Sequence, residues 1–371
     1  MTTTTHATLT PAARAFEVTR SSSARSAAQR LALLAAPTFG EVFTDHVARV
    51  SWTEAGGWSQ RRVEPYAPIA LAPAALVLHY GQEVFEGLKA FRHPDGSVWA
   101  FRPDRNAARF ADSARRLALP PLPADDFVGS VQALVAVDEA WVPTGGDASL
   151  YLRPYMFASE PTLLVRPGRT VEYLVLASPA GSYFAAGTAP VSIWVARDLR
   201  RAAPGGTGAV KTMANYAASL ASQNEAYAHG CEQVCFLDAA TGTLVEELGG
   251  MNVAVVRADG TVLTPALSGT LLPGVTRDAV LTLLREEGHV AEERALPLAE
   301  VLDGIRSGEI TETFACGTGA VVTPIGRLAG EGLDLSLGEG VGPVTAWVRG
   351  RLTDIQHGRA PDAHGWLVRL V

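Results

Sequence analysis

The sequence predicts a two-domain protein of mixed α/β to α+β class, and three observations carry that expectation. At 371 residues the chain is long enough for about two domains. Strand-like and helix-like stretches interleave through both halves, with no internal repeat and no strand–GxGxxG–helix order of a doubly wound dinucleotide fold. Between the halves lies SPAGSYFAAGTAP, a small-residue, Gly/Pro-rich, aperiodic segment of the kind that links domains. The expected division is a flexible N-terminal tail with a short helix (1–36), a small N-terminal domain (37–178), a linker (179–190) and a larger C-terminal domain (191–371).

The first 36 residues are rich in Thr, Ser and Ala and carry Arg14, Arg20, Arg25 and Arg30 against the single acid Glu17. Organelle transit peptides have this composition, and so does a disordered tail leading into a helix over 26–34. The tail is the expectation. From Phe43 onward HVARVSW, PIALAPAALVLHY and SVWAFR read as strands. Ala108, Phe110, Ala111, Ala114 and Leu117 have the spacing of a helix over 105–117, and a second helix is expected over 126–137. Strands return at SLYLRPYMFA and EYLVLAS. Beyond the linker, strands VSIWVA, QVCFLD, VAVVRA and TVLTP alternate with helices over 216–228, 274–287, 299–307 and 344–356.

Composition sets bounds on function. With 47% hydrophobic and 19% charged residues the chain is ordinary for a globular protein. A net charge of −7 and the lack of a basic cluster with interleaved aromatics argue against a nucleic-acid surface. Three cysteines, Cys231, Cys235 and Cys316, cannot all pair and lack zinc-ligand spacing, so no metal is expected and a reducing cytoplasm fits best. No apolar run approaches the length of a membrane span.

The chemistry centres on GGTGAVKTMANYAASLASQNEA, which sets Lys211 between a glycine-rich run and a helix-like stretch. The chain has only two lysines, Lys89 and Lys211, and otherwise uses arginine for its positive charge. Arginine does not deprotonate at usable pH, whereas a desolvated lysine becomes a neutral amine that attacks a carbonyl. The segment is not a nucleotide-triphosphate loop, because Lys211 follows Val210 where that motif requires glycine. Two other segments suit an anion. LPGVTR, 272–277, opens a helix with a Pro-Gly turn, and ACGTGAVVTP, 315–324, carries Gly317, Thr318 and Gly319 with freely directed N–H groups. A pyridoxal phosphate enzyme requires a lysine, a phosphate cup and a group that sets the charge of the pyridine nitrogen. Glu246 and Glu247 are candidates for the last. Glu247 is favoured because Leu248-Gly249-Gly250 follows it, letting backbone approach a planar ring.

HYGQEVFEGLKAFR, FRPDRNAARF, SLYLRPYMFASEP, the lysine segment, EELGGMNVAVV, LSGTLLPGVTRDAVL and FACGTGAVVTPIG follow one another in this order. Together they resemble the branched-chain amino acid aminotransferases, fold-type IV pyridoxal phosphate enzymes, from Phe39 to about His357. The resemblance implies a small and a large domain joined by a linker. It also implies a homodimer whose partner completes the site with a loop near Val165, around Leu163–Val165. It places the cofactor's lysine at Lys211, its phosphate-binding arginine at Arg102 and the tyrosine near its phenolic oxygen at Tyr216. The pyridine-nitrogen carboxylate falls on Glu247, and Leu272, Val275, Thr276 and Thr318 complete the cofactor contacts. The substrate pocket maps to Phe39, Tyr80, Phe85, Tyr151, Tyr183, Gly250, Thr318 and Gly319, with Arg153 meeting the side-chain carboxylate of glutamate or 2-oxoglutarate. The implied reaction is reversible, ping-pong transamination of L-leucine, L-isoleucine and L-valine with 2-oxoglutarate.

Some positions depart from the family pattern. Met213-Ala214 stands where Gly-Gly is common, Gly250 where some relatives carry threonine, and Gly319 where many carry alanine. The CxxC pair of certain animal members is absent. D-amino acid aminotransferases and aminodeoxychorismate lyase share the fold type, but Arg153 within YLRP and the EGLKAF block favour the branched-chain reading. A phosphate-binding module in which Lys211 is only a counter-ion is the reading from another class, and it predicts a colourless protein.

Overall fold

The computed structural model describes residues 9–181, 183 and 189–371. These form two compact units: one runs up to Tyr183 and adds Ile355–Val371, and the other lies between, up to Asp354.

In the first unit the described strands form a nine-stranded sheet. Its order is Glu17–Val18, Gly57–Pro65, His46–Thr53, Thr170–Ala180, Ser149–Ala158, Leu88–Arg92, Val98–Phe101 and Leu367–Arg369, with Glu83–Phe85 also on Ser149–Ala158. Pairing is antiparallel except at Glu17–Val18. Helix Pro103–Arg116 begins with Pro103, whose fixed φ suits a first turn, and buries Ala107, Phe110 and Ala114 along one face. Helix Ala124–Val137 lies beside it, and Phe110, Phe127 and Tyr173 meet in the core.

The second unit holds another nine-stranded sheet, of mixed direction. Its order is Val245–Leu248, Gln233–Leu237, Val191–Ala196, Val321–Gly330, Ile310–Gly317, Asn252–Arg257, Val262–Pro265 and Ala291–Arg294, with Leu333–Ser336 also on Val321–Gly330. Helices Val275–Glu286 and Leu298–Ser307 pack on strand Ile310–Gly317. The first of these has Asp278 in its opening turn and Arg285 in its last, matching the helix dipole.

Several expectations are corrected. PIALAPAALVLHY is not a strand: Pro68 and Pro73 remove ladder donors, and the segment becomes a loop followed by helix Leu76–Tyr80. The helix expected over 216–228 is two, Met213–Ala217 and Leu220–Ala228, and at the break the Ser219 hydroxyl donates to the Tyr216 carbonyl at 2.7 Å. The segment 1–36 is not a flexible tail over its described part. Thr10 caps helix Pro11–Arg14, and Ala13 and Phe16 are buried in the core of the first unit. Helix Ala27–Leu34 carries the capping box of Ser26 and Gln29.

The end of the chain, placed by sequence in the C-terminal domain, joins the first unit because strand Leu367–Arg369 pairs with Val98–Phe101. Half of the linker expected over 179–190 lies outside the described residues, and its first two residues end strand Thr170–Ala180. Among the described residues, no helix is long and apolar enough to cross a membrane.

Candidate active site

Asn252 organises the second unit's share of the expected residues. Strand pairing sets it opposite Cys316, which brings the turn carrying Gly250 beside the turn carrying Thr318 and Gly319. Its side-chain amide donates to Glu247 Oε2 at 3.0 Å and to the Leu272 carbonyl at 3.1 Å. Gly274, at the start of helix Val275–Glu286, lies so close that a Cβ there would collide with Asn252 Oδ1. The N–H groups of Val275 and Thr276 belong to the first turn of that helix, where no intrahelical acceptor exists and an anion is favoured.

Glu247 is 4% exposed. Its carboxyl receives the Leu272 N–H at 3.3 Å, and Arg201 Nη2 lies 2.5 Å from Oε1. Burial pushes this carboxyl up to about 7, against the pull of Arg201, the Leu272 N–H and Lys211. Glu247 is thus an acid poised to exchange a proton near neutrality. Arg201 also donates to the carbonyls of Thr270 and Gly208, which ties the glycine-rich segment ahead of Lys211 to the carboxylate. Neighbouring Glu246 is buried as well and accepts from the Thr270 hydroxyl.

Lys211 precedes helix Met213–Ala217, on which Tyr216 sits. Nζ donates to the Tyr216 hydroxyl at 2.7 Å and lies 5.1 Å from the ring centroid. The Asn215 amide bonds the carbonyls of Thr207 and Val210, both at 2.8 Å, which fixes the loop that carries the lysine. Met213, one of the departures, is 40% exposed.

A second group forms within the first unit. The Phe39 ring lies 4.8 Å from Tyr151 and 5.0 Å from Tyr183. The Arg153 guanidinium sits 4.7 Å over Phe85 and donates to the Tyr151 hydroxyl at 2.9 Å. Gly87 makes the cluster possible, since a Cβ there would collide with that hydroxyl. A buried pair holds Gly87 in place. Glu86 Oε2 accepts its N–H at 3.0 Å, and Arg109 Nε meets Glu86 Oε1 at 2.6 Å. Tyr80 stands apart from this cluster and donates to the Leu163 carbonyl at 2.7 Å, holding the exposed Leu163, Leu164 and Val165. Arg102 is buried with φ +50 at the start of helix Pro103–Arg116, its guanidinium 5.0 Å over Trp366. A non-glycine residue in the left-handed region stores strain of the kind concentrated at functional sites.

Sequence reasoning missed Arg201 and Asn252. The signal available was an Arg-Arg pair directly ahead of a glycine-rich loop, and an amide directly after the Gly249-Gly250-Met251 turn.

Residues 83–328 match the family described as Amino-transferase class IV. The chain is similar to the branched-chain-amino-acid aminotransferase of Mycobacterium tuberculosis, 51% identical over 360 residues spanning 96% of this chain and 98% of that protein. Among solved structures, it resembles the branched-chain amino acid aminotransferase of Escherichia coli at 28% identity and a TM-score of 0.72, covering 87% of this chain and 100% of that one. The enzyme of Thermobaculum terrenum, described as in its PLP-form, matches with a TM-score of 0.73 over 88% of this chain and 98% of that one. At 23% identity that likeness bears on the fold alone.

Proposed function

The chain belongs to the class IV aminotransferase family, and we propose that it transfers the amino group of L-leucine, L-isoleucine and L-valine to 2-oxoglutarate, reversibly and in two half-reactions, with pyridoxal phosphate as cofactor. The observation that carries the reading is the pairing in one unit of Lys211, held by Tyr216, with the buried, arginine-anchored Glu247. A lysine amine and a carboxyl that exchanges a proton near neutrality are the two groups such a cofactor requires. When bound, the cofactor supplies the carbonyl that accepts the amino group and the ring that delocalises the electron pair left at the substrate Cα.

In this reading Lys211 anchors the cofactor, then takes the Cα proton as general base and returns it as general acid. Tyr216 orients the lysine amine through their hydrogen bond. Glu247 holds the proton at the pyridine nitrogen. Leu272, Val275, Thr276, Thr318 and Arg102 bind the cofactor, the last through its phosphate. Phe39, Tyr80, Phe85, Tyr151 and Tyr183 receive the apolar side chain, while Gly250, Thr318 and Gly319 bind the substrate's amino-acid end. Arg153 receives the side-chain carboxylate of glutamate, because a charge buried among aromatics requires a partner.

The same reading makes the enzyme a cytoplasmic homodimer whose partner loop around Val165 closes the site. Its support is the exposure of Leu163, Leu164 and Val165 at 63, 64 and 84%, an unusual concentration of apolar surface for one loop.

The test is the visible spectrum of the purified protein. The cofactor band should collapse on addition of L-leucine and return with 2-oxoglutarate. A band that ignores L-leucine but responds to D-alanine would replace this reading with the D-amino acid one, and a protein that takes up no pyridoxal phosphate would overturn it.

A further inference from the structure

A cavity of about 450 Å³ in the first unit uses none of the residues assigned above. It lies among the His93–Gly96 turn, the Thr144–Gly146 turn and the segment His357–Arg359. Its volume is within the ~300–1,000 Å³ of small-molecule sites. The lining includes two arginines, two histidines and no carboxylate.

The basic groups are held in place. Arg92 is fixed by Glu139, 3.1 Å away, and by the Gly96 carbonyl at 2.8 Å. The Arg359 guanidinium lies 3.6 Å from Asp147 and reaches the Gly146 carbonyl at 3.5 Å. The His93 ring stacks on Trp99 at 5.3 Å. Gly358, at φ +67, packs so tightly on His93 that any Cβ would collide with its ring.

Two sets of donors on the lining of this space have no acceptor among the described residues. His357 is only 7% exposed, packs edge-on against Phe91 at 4.9 Å, and makes no side-chain hydrogen bond among the described residues. The N–H groups of Gly145 and Gly146, at φ +87 and +58, are likewise bonded to nothing among the described residues. Burial first, then repulsion by Arg359, Lys89 and His93 against the opposing pull of Asp147, pushes the His357 imidazole down to about 4. A largely buried imidazole on the cavity wall, with no hydrogen-bond partner among the described residues, gains an acceptor from an anion bound beside Arg359.

We propose that this cavity binds a phosphate dianion, free or carried by a small metabolite, between the Arg359 guanidinium and the His357 ring, with the Thr144 hydroxyl and the Gly145 and Gly146 N–H groups as further donors. Phosphate suits it better than a carboxylate. Its three terminal oxygens can take the several donors that line the space, which a carboxylate's two cannot.

The experiment is calorimetric titration of the protein, loaded with pyridoxal phosphate and freed of excess, with inorganic phosphate and with phenyl phosphate. Wild-type protein should bind at least one probe saturably, and binding should weaken at least tenfold in Arg359→Gln, whose side chain is 40% exposed and outside the core. Binding of both probes assigns the site to the phosphate group itself, and binding of phenyl phosphate alone assigns it to a monoester. In the unmodified protein the His357 ring NMR signals should shift with the same saturation curve. Absence of saturable binding by either probe at millimolar concentration, binding unchanged in Arg359→Gln, or unmoved His357 signals would overturn the proposal.

Discussion

Arg201 Nη2 lies 2.5 Å from Glu247 Oε1, and each side chain is 5% exposed. Desolvating both groups is expensive, so the pair is held by its other bonds, from Asn252 and the Leu272 N–H to the carboxylate and from Arg201 to the Thr270 and Gly208 carbonyls. Removing one partner leaves the other charge buried and uncompensated. Arg201→Met is expected to lower stability by about 3–5 kcal/mol. It should also release the loop before Lys211 and weaken cofactor retention. Urea unfolding and dialysis of the loaded protein check both effects.

The elevated Glu247 carboxyl, at about 7, predicts a pH dependence of stability in the cofactor-free protein. Its folded value exceeds the unfolded one of about 4.3, so the native state binds more protons between these values. The contribution is therefore fully present below the unfolded value and is lost as pH rises through 7. In Glu247→Gln the group cannot ionise. The stability of the variant relative to wild type should rise between pH 5 and pH 8, by up to about 3 kcal/mol. Denaturant midpoints at the two pH values measure this directly, and a variant whose stability relative to wild type falls from pH 5 to pH 8 would contradict the sign.

Gly129 controls docking of the N-terminal segment. A Cβ there would meet the Ala12 Cβ at 2.8 Å and its carbonyl carbon at 2.9 Å. Gly129→Ala should force helix Pro11–Arg14 away and cost about 1–3 kcal/mol through overpacking. Thermal unfolding and faster proteolysis ahead of Phe16 report it.

In the proposed function, Arg153 over Phe85 is what separates the two substrate classes. Truncating a charge partner removes about 2 kcal/mol or more, so Arg153→Met should lower kcat/KM for 2-oxoglutarate by roughly thirtyfold or more. Single-turnover reaction with L-leucine should stay within about threefold, because an apolar side chain has no use for the guanidinium. Equal losses in both half-reactions would contradict the assignment.

Much of the candidate site was legible because its residues sit in contiguous, chemically odd segments: a rare lysine after glycines, a Glu-Glu pair before glycines, a Pro-Gly turn opening a helix. Arg201 was not. Its partner Glu247 lies on a strand distant in sequence, and nothing local distinguishes Arg201 from Arg200, which bonds only carbonyls. Asn252 escaped for the same reason, since its role arises where its strand pairs at Cys316. In the fold, long periodic helices such as Pro103–Arg116 were visible, but PIALAPAALVLHY misled because an apolar run looks alike in strand, loop and short helix. The return of Leu367–Arg369 to the first unit depends on pairing with a strand far away in sequence, which no local pattern encodes.

The central claim is that Lys211 carries the cofactor, and a chain with only two lysines permits a decisive measurement. Borohydride makes the attachment of pyridoxal phosphate to a lysine permanent, and peptide mass spectrometry then locates it. The account predicts the phosphopyridoxyl group on the peptide containing Lys211, with Lys89 unmodified. Label on Lys89, or on neither lysine of a protein equilibrated with pyridoxal phosphate, would contradict it.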